Sequence, residues 1–232
     1  MPKQLILNSL DYQGVATITL NRPDFFNGYN KEFLEQLRKT VNELEADSAV
    51  RIIILRGAGK HFSSGADVNW FKELAASSTE EQLAAAKLST STMRKLNECK
   101  KPTIALIHNA CYGGGTGYAA ACDIVIASED ARFAITEVRV GITPAPIVVQ
   151  LIKAIGARQL LRYSLTGEIF DVEQAKYIGL VHQVCPVGDL DVAAEPIIEG
   201  LLRGAPGAIR DTKSLVGEVS EESLTELLFD KL

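Results

Sequence analysis

One carboxylate and two glycine turns carry the chemistry available to this sequence. Glu137 stands in Ala134-Ile135-Thr136-Glu137-Val138-Arg139-Val140-Gly141, an apolar stretch directly after a strand-like segment. Apolar surroundings raise a carboxyl pKa and suit it to acid–base work. A buried ion pair with Arg139, or a surface position across the turn, would explain the same glutamate. Gly113-Gly114-Gly115-Thr116-Gly117 follows one strand and precedes the helical run Tyr118-Ala119-Ala120-Ala121-Cys122, which exposes N–H groups at a helix N-terminus. Phe62-Ser63-Ser64-Gly65-Ala66-Asp67 makes a second turn, ahead of a short helix starting near Val68. If the loops converge, one N–H from each can polarise a single carbonyl oxygen, and losing one such donor costs about 10²–10³ in rate. The alternative is that the glycines serve only tight strand-to-helix packing.

Other chemistries lack their residues. There is no G-x-x-x-x-G-K-[ST] loop, no H-E-x-x-H and no G-x-S-x-G elbow, and Tyr118 stands where G-x-G-x-x-G needs its last glycine. His61, His108 and His182 are scattered and read as loop or strand-end residues making one hydrogen bond each. No metal site is expected. Cys99, Cys111, Cys122 and Cys185 lie in apolar runs without C-x-x-C spacing, which predicts buried reduced thiols and a cytoplasmic protein. With 24 Lys and Arg against 29 Asp and Glu, the net charge of -5 argues against nucleic acid or an anionic membrane as partner. The uncharged stretch from Thr103 to Cys122 is broken by His108, Asn109 and four glycines, so no membrane span is expected. Nor does the N-terminus resemble an export signal.

The positioning elements alternate strand and helix, the pattern of an α/β protein. Strands are predicted at Gln4–Leu10, Val15–Asn21, Arg51–Arg56, Thr103–His108, Asp123–Ala127 and Arg132–Ile135, the first two as a hairpin with a half-exposed second strand near a sheet edge. Asn30 caps a helix to about Asp47, and Ser78 with Glu81 forms a capping box for a helix to about Cys99. After Thr143-Pro144-Ala145-Pro146 the chain reads as helices at Ile147–Ile155, Arg158–Leu165, Asp171–Ile178, Leu190–Leu202 and Ala208–Leu215. This helical lobe should pack on the core or on a neighbouring subunit. Leu224–Leu232 reads as a helix beginning rather than ending, as though residues were missing. Asp67 and Asp123 are expected to shape loops by bonding backbone.

Leu20-Asn21-Arg22-Pro23 with Asn27, the turn Phe62 to Asp67, the run Tyr112 to Ala127 and Glu137-Val138-Arg139-Val140-Gly141-Ile142-Thr143-Pro144 together resemble the crotonase superfamily of acyl-CoA hydratases and isomerases. The likeness spans nearly the whole chain. Within that family, Gly65 to Phe71, Thr136 to Arg139 and Pro144 to Ile147 most resemble the bacterial methylglutaconyl-CoA hydratases, which points to leucine or isoprenoid acid breakdown. The resemblance implies an α/β, crotonase-like spiral of ββα units over residues 1–190 and a C-terminal helical region over 191–232. It also implies a homotrimer or homohexamer. No prosthetic group is implied, only coenzyme A as part of an acyl-CoA thioester substrate. The N–H groups of Ala66 and Gly114 would hold the thioester oxygen, Glu137 would be the catalytic glutamate, and Gly65, Asp67, Val68 and Gly113 would bind substrate. Arg139 is the nearest basic residue for a distal carboxylate, with a structural ion pair as its other reading.

The chain departs from the family at Gly117, where many hydratases carry a second glutamate. Either Glu137 both activates water and returns the proton on the same face, or another group supplies the second function. A Δ3–Δ2 enoyl-CoA isomerase needs one carboxylate only and is the leading alternative. A CoA-thioester binding protein without turnover is the third reading, against which Glu137 stands. The loop Asp24-Phe25-Phe26-Asn27-Gly28-Tyr29 lacks the basic residue the family often places before the asparagine, and the family usually continues past the position of Leu232.

Overall fold

The computed structural model describes residues 4–221. An antiparallel hairpin, β1 (Ile6–Leu10) and β2 (Val15–Leu20), opens the chain. Its turn is set by Asp11, whose Oδ1 accepts from the N–H groups of Gln13 and Val15 at 2.9 and 2.8 Å, and by Gly14 at φ +89°. Crossovers follow: α1 (Lys31–Ala46) leads to β3 (Ile52–Gly57), and α2 (Val68–Ala75) with α3 (Thr79–Asn97) leads to β4 (Thr103–Ile107). Then β5 (Ala110–Tyr112) and α4 (Gly114–Ala121) lead to β6 (Ile124–Ser128). The remaining elements are β7 (Arg132–Ala134), α5 (Val148–Thr166), β8 (Phe170–Asp171), α6 (Val172–Tyr177), β9 (Gln183–Cys185), α7 (Leu190–Arg203) and α8 (Pro206–Glu221).

The main sheet runs β1-β2-β3-β4-β6-β9, parallel throughout except for the hairpin, and a second sheet runs β5-β7-β8. This is the α/β architecture expected, with crossover helices covering parallel strands as parallel pairing requires. Asn30 accepts from the Phe33 N–H at 3.0 Å and starts α1, which turns Phe33, Leu34, Leu37, Val41 and Leu44 into the core. The capping box of Ser78 and Glu81 starts α3. All four cysteines are free and buried.

Several expectations change. The second strand is covered more than expected: Ala16, Ile18 and Leu20 are fully buried on one face, while on the other Val15 joins an apolar cluster and Thr17 and Thr19 stay partly exposed. That second cluster joins Ile52, Ile54, Ile104, Leu106 and Ile126 to Leu190 and Ala194 of α7. The helical region therefore begins by covering this chain's own sheet. Arg51 ties α7 down by donating to the carbonyls of Leu202 and Gly204 at 3.2 and 2.9 Å. The two helices expected between Ile147 and Leu165 are continuous in outline but break at Gly156, whose φ of +72° and ψ of 158° are not helical. Strands β5, β8 and β9 were not expected; at two or three residues each they are too short to show a period. Helix α8 extends beyond the predicted Ala208–Leu215 at both ends. The segment Leu224–Leu232 lies outside the described residues.

Candidate active site

Residues 63–67 are stitched between two neighbours. Ser63 N–H donates to Ala110 O at 3.1 Å and Tyr112 N–H to Ser63 O at 2.9 Å, which joins the loop to β5. On the other side Tyr29 N–H donates to Gly65 O at 2.9 Å and Asp67 N–H to Tyr29 O at 2.8 Å. In this parallel bridge between Tyr29 and Ala66 the bonds use residues 65 and 67, so the Ala66 N–H faces away from Tyr29. Glycines let the loops close. A Cβ on Gly65, at φ +87°, would stand 2.9 Å from Tyr112 O and 3.1 Å from Gly114 N. One on Gly115 would stand 2.8 Å from Ser63 O.

Gly113, at φ +49°, precedes α4, and Gly114 is the first residue of that helix, where backbone donors have no intrahelical partner. The loops that carry Ala66 and Gly114 thus meet, as the sequence suggested. The short sheet brings the carboxylate. Strand β7 pairs with β5 in the register Tyr112 to Ala134, and Gly113 N–H donates to Ala134 O at 2.8 Å. Three residues beyond Ala134 the chain enters a 3-10 turn, Glu137–Val140. Glu137 Oε1 lies 3.1 Å from where a Cβ on Gly113 would stand, and Oε2 is buried without a hydrogen-bond partner. Burial pushes the Glu137 carboxyl above the ordinary carboxylate range, against a smaller downward pull from the N–H groups of Glu137 and Thr136.

This overturns the reading of Glu137 as an ion pair with Arg139. Arg139 is exposed, and its Nε lies 2.9 Å from where a Cβ on Gly167, the residue closing α5, would stand. The 3-10 turn breaks the strand relation that would have kept residues 137 and 139 on one side. Gly65, Ala66, Gly113, Gly114 and Glu137 are brought together; Arg139 is not. Val68 opens α2 and is 64% exposed. The Asp67 carboxylate accepts from Asn69 N–H at 2.8 Å and from Arg22 at 2.7 Å, both side chains being buried. Burial pulls its carboxyl up, but Arg22 with the Asn69 and Trp70 N–H groups holds it below the ordinary range. Asp123 accepts from the Thr103 N–H and Oγ1, the backbone role expected, and also from Lys213.

Arg22 and Tyr29 were missed. Arg22 also donates to Gly28 O and sits 4.6 Å from the Phe25 ring centroid, so it braces both loops. The motif Leu20 to Pro23 pointed at this segment, yet nothing in the spacing discloses a partner 45 residues away. The Tyr29 ring lies against Gly114, and burial together with the Glu137 charge raises its phenol pKa far above the ordinary value. At Gly117 no space is left, because a Cβ would stand 2.2 Å from Ile147 Cγ2 and 3.4 Å from Met93 Sδ. Among the described residues no group of three His, Cys, Asp or Glu could hold a metal ion, and no helix is long and apolar enough to cross a membrane.

Comparison with known proteins bears on the family and the fold. A putative enoyl-CoA hydratase of Thermus thermophilus is 33% identical over 202 residues, 87% of this chain and 80% of its own length. A peroxisomal Delta(3,5)-Delta(2,4)-dienoyl-CoA isomerase of Arabidopsis thaliana is 34% identical over 223 residues, 91% of this chain and 80% of its own. The crystal structure of an enoyl-CoA hydratase from Shewanella pealeana superposes with a TM-score of 0.94 at 32% identity, covering 98% of this chain and 85% of that one. This confirms the crotonase-like fold. The family model described as enoyl-CoA hydratase/isomerase matches residues 11–230, and the chain belongs to that family.

Proposed function

We propose that this chain hydrates the 2,3-double bond of an enoyl-CoA thioester. The observation that carries the reading is a buried carboxylate with one unpartnered oxygen, placed against the same glycine turn that presents the Gly114 N–H beside the loop of Ala66. The thioester oxygen accepts from the N–H groups of Ala66 and Gly114. Glu137 takes a proton from water, the hydroxide oxygen bonds to C3, and the double-bond electron pair moves onto the thioester oxygen as an enolate. When the enolate collapses, C2 takes the proton back from Glu137, so one water is added and the enzyme is restored. Two donors aimed at an oxygen where charge develops stabilise the transition state more than the ground state.

Gly65, Gly113 and Val68 line the acyl group in this reading, while Asp67 serves through its loop. The acyl group is of the methylglutaconyl type, supported by the motif likeness of residues 65–71, 136–139 and 144–147. No prosthetic group takes part, and coenzyme A enters with the substrate. The exposed Val149, Ile152, Leu161 and Leu165 of α5 suit a homotrimer or homohexamer, and four buried free thiols suit the cytoplasm.

A second reading is favoured by one observation. Ile147 and Met93 fill the place where a side chain at Gly117 would stand, and a lone carboxylate is enough to move a proton between two carbons, as a Δ3–Δ2 isomerase does. The test follows the conjugated-enoyl absorbance of 3-methylglutaconyl-CoA and crotonyl-CoA. A loss that Glu137→Gln abolishes supports hydration. No loss with either thioester, together with a gain of conjugation from a 3-enoyl-CoA, replaces hydration by isomerisation.

A further inference from the structure

We propose that the Tyr29 hydroxyl is the second polar group of this site and holds, by hydrogen bonding, the water whose proton Glu137 takes. The proposal rests on the hydratase reading and deepens it, since a site with no acid at position 117 leaves that water with only one protein partner. Tyr29 is fixed on every side. Its backbone bonds to Gly65 and Asp67 lock its main chain to the Ala66 loop. Its ring, 6% exposed, meets the edges of Trp70 and Tyr118 with centroids 6.0 and 5.9 Å away. A Cβ on Gly114 would stand 2.4 Å from Tyr29 Cε1 and 2.7 Å from its Oη, so only a glycine lets the phenol reach this place.

The hydroxyl therefore lies beside the residue whose N–H opens α4, while Glu137 Oε1 lies beside the preceding glycine. Successive residues of one turn thus carry a carboxylate and a phenol. No hydrogen bond joins Tyr29 Oη to a described group, which leaves it free for a ligand. Because its pKa is raised far above the ordinary value, the phenol stays protonated and donates to the water, which in turn donates to Glu137. Of the threonine hydroxyls at the turn, Thr116 Oγ1 is occupied, donating to Gly113 O at 2.6 Å, and Thr136 Oγ1 lies 3.6 Å from where a Cβ on Gly113 would stand. The latter belongs to the same segment as Glu137 and does not face it across the turn.

Tyr29→Phe keeps the ring and its contacts and removes only the hydroxyl. Displacing a reacting water by about an ångström costs on the order of 10²-fold, so kcat for hydration should fall about 10–100-fold with KM little changed. Exchange of the C2 hydrogens of butyryl-CoA with deuterium oxide uses Glu137 and the oxygen-binding donors without a water attack, and should stay within about twofold. Tyr118→Phe, which removes a buried and unpartnered hydroxyl next to the same ring, is the control and should leave both rates unchanged. Hydration unaffected by Tyr29→Phe overturns the proposal. So does an equal fall in hydration and exchange, which would mean that Tyr29 acts by holding the site's shape. A wild-type protein that exchanges butyryl-CoA but hydrates no enoyl-CoA removes the hydratase reading and this proposal with it, and is recognised before any variant is made.

Discussion

Glu137→Gln should stabilise the protein while silencing it. Burial raises the Glu137 carboxyl pKa, and its Oε2 has no hydrogen-bond partner, so the native state binds the proton more tightly than the unfolded chain does. A raised folded pKa contributes stability that is fully present below the unfolded pKa and is lost as pH rises through the folded one. Above its folded pKa the wild type therefore carries a charge out of water against only the pull of the Glu137 and Thr136 N–H groups, whereas glutamine has the same outline and no charge. A buried unsatisfied group costs about 1–3 kcal/mol. Taking about 1–2 kcal/mol, because the whole residue is only half-buried, and about 2–4 °C per kcal/mol at this chain length, Tm should rise about 2–8 °C at neutral pH. At about pH 4 the wild type is itself largely protonated and the gain should shrink towards zero. Removing a general base costs about 10²–10⁴ in rate, so the hydration assay should lose at least that. Thermal unfolding at the two pH values, beside the rate, checks all three. A fall in Tm, or an equal gain at both pH values, would refute the reasoning that an unpaired buried charge sits at this position.

Four further outcomes follow from the same geometry. Wild-type hydration should gain rate with pH along an acid limb centred above the ordinary carboxylate range, since Glu137 must be ionised to take a proton; a pH–kcat profile flat down to the usual Glu value contradicts this. Gly117→Ala forces a Cβ into Ile147 and should cost about 1–3 kcal/mol by overpacking, whereas in the background of Ile147→Ala, which removes the 2.2 Å contact with Cγ2 and leaves the 2.9 Å contact with Cβ, the same change should cost less. A denaturation double-mutant cycle reads that coupling. Asp67→Ala leaves buried Arg22 unpaired and should cost about 3–5 kcal/mol at neutral pH; because the folded Asp67 pKa is lowered, the stability it contributes is lost as pH falls through the acid range. Arg139→Ala, whose side chain lies over Gly167, should change KM equally for 3-methylglutaconyl-CoA and crotonyl-CoA, and a selective rise for the first would restore Arg139 as its carboxylate partner.

Local signals were legible because each acts within a few residues. The cap at Asn30, the capping box at Ser78 and the turn at Asp11 are formed by side chains bonding backbone two to four residues away, and the structure keeps all three. The β-branched runs of β3, β4 and β6 marked strands, which the structure pairs in parallel. Pairings over long separations were not legible. Arg22 finds Asp67, and Tyr29 finds Gly114, because the loop of residues 63–67 is drawn between them by backbone bonds, and backbone bonds carry no sequence signature. The reading of β2 as half-exposed holds at Thr17 and Thr19 and fails at Val15 for a related reason: α7, some 170 residues later, packs against the cluster that takes Val15 in.

The glycine run shows why the two readings offered for it do not compete. Each glycine faces a different neighbour: Gly113 faces Glu137, Gly114 the Tyr29 ring, Gly115 the Ser63 carbonyl and Gly117 the Ile147 side chain. Only bare Cα atoms allow four such approaches within one turn and the start of one helix. That close packing is what sets a free helix-end N–H next to the Ala66 loop and a carboxylate beside it. Tight packing is thus the means by which donors and base share one turn. A Cβ at any of these positions should therefore disturb a different component: the base at 113, the phenol at 114, the facing loop at 115 and the contact of α4 with Ile147 at 117. Activity should fall most steeply at 113 and 114, where a side chain would displace the chemistry itself, and stability at 115 and 117, where it would displace backbone or core.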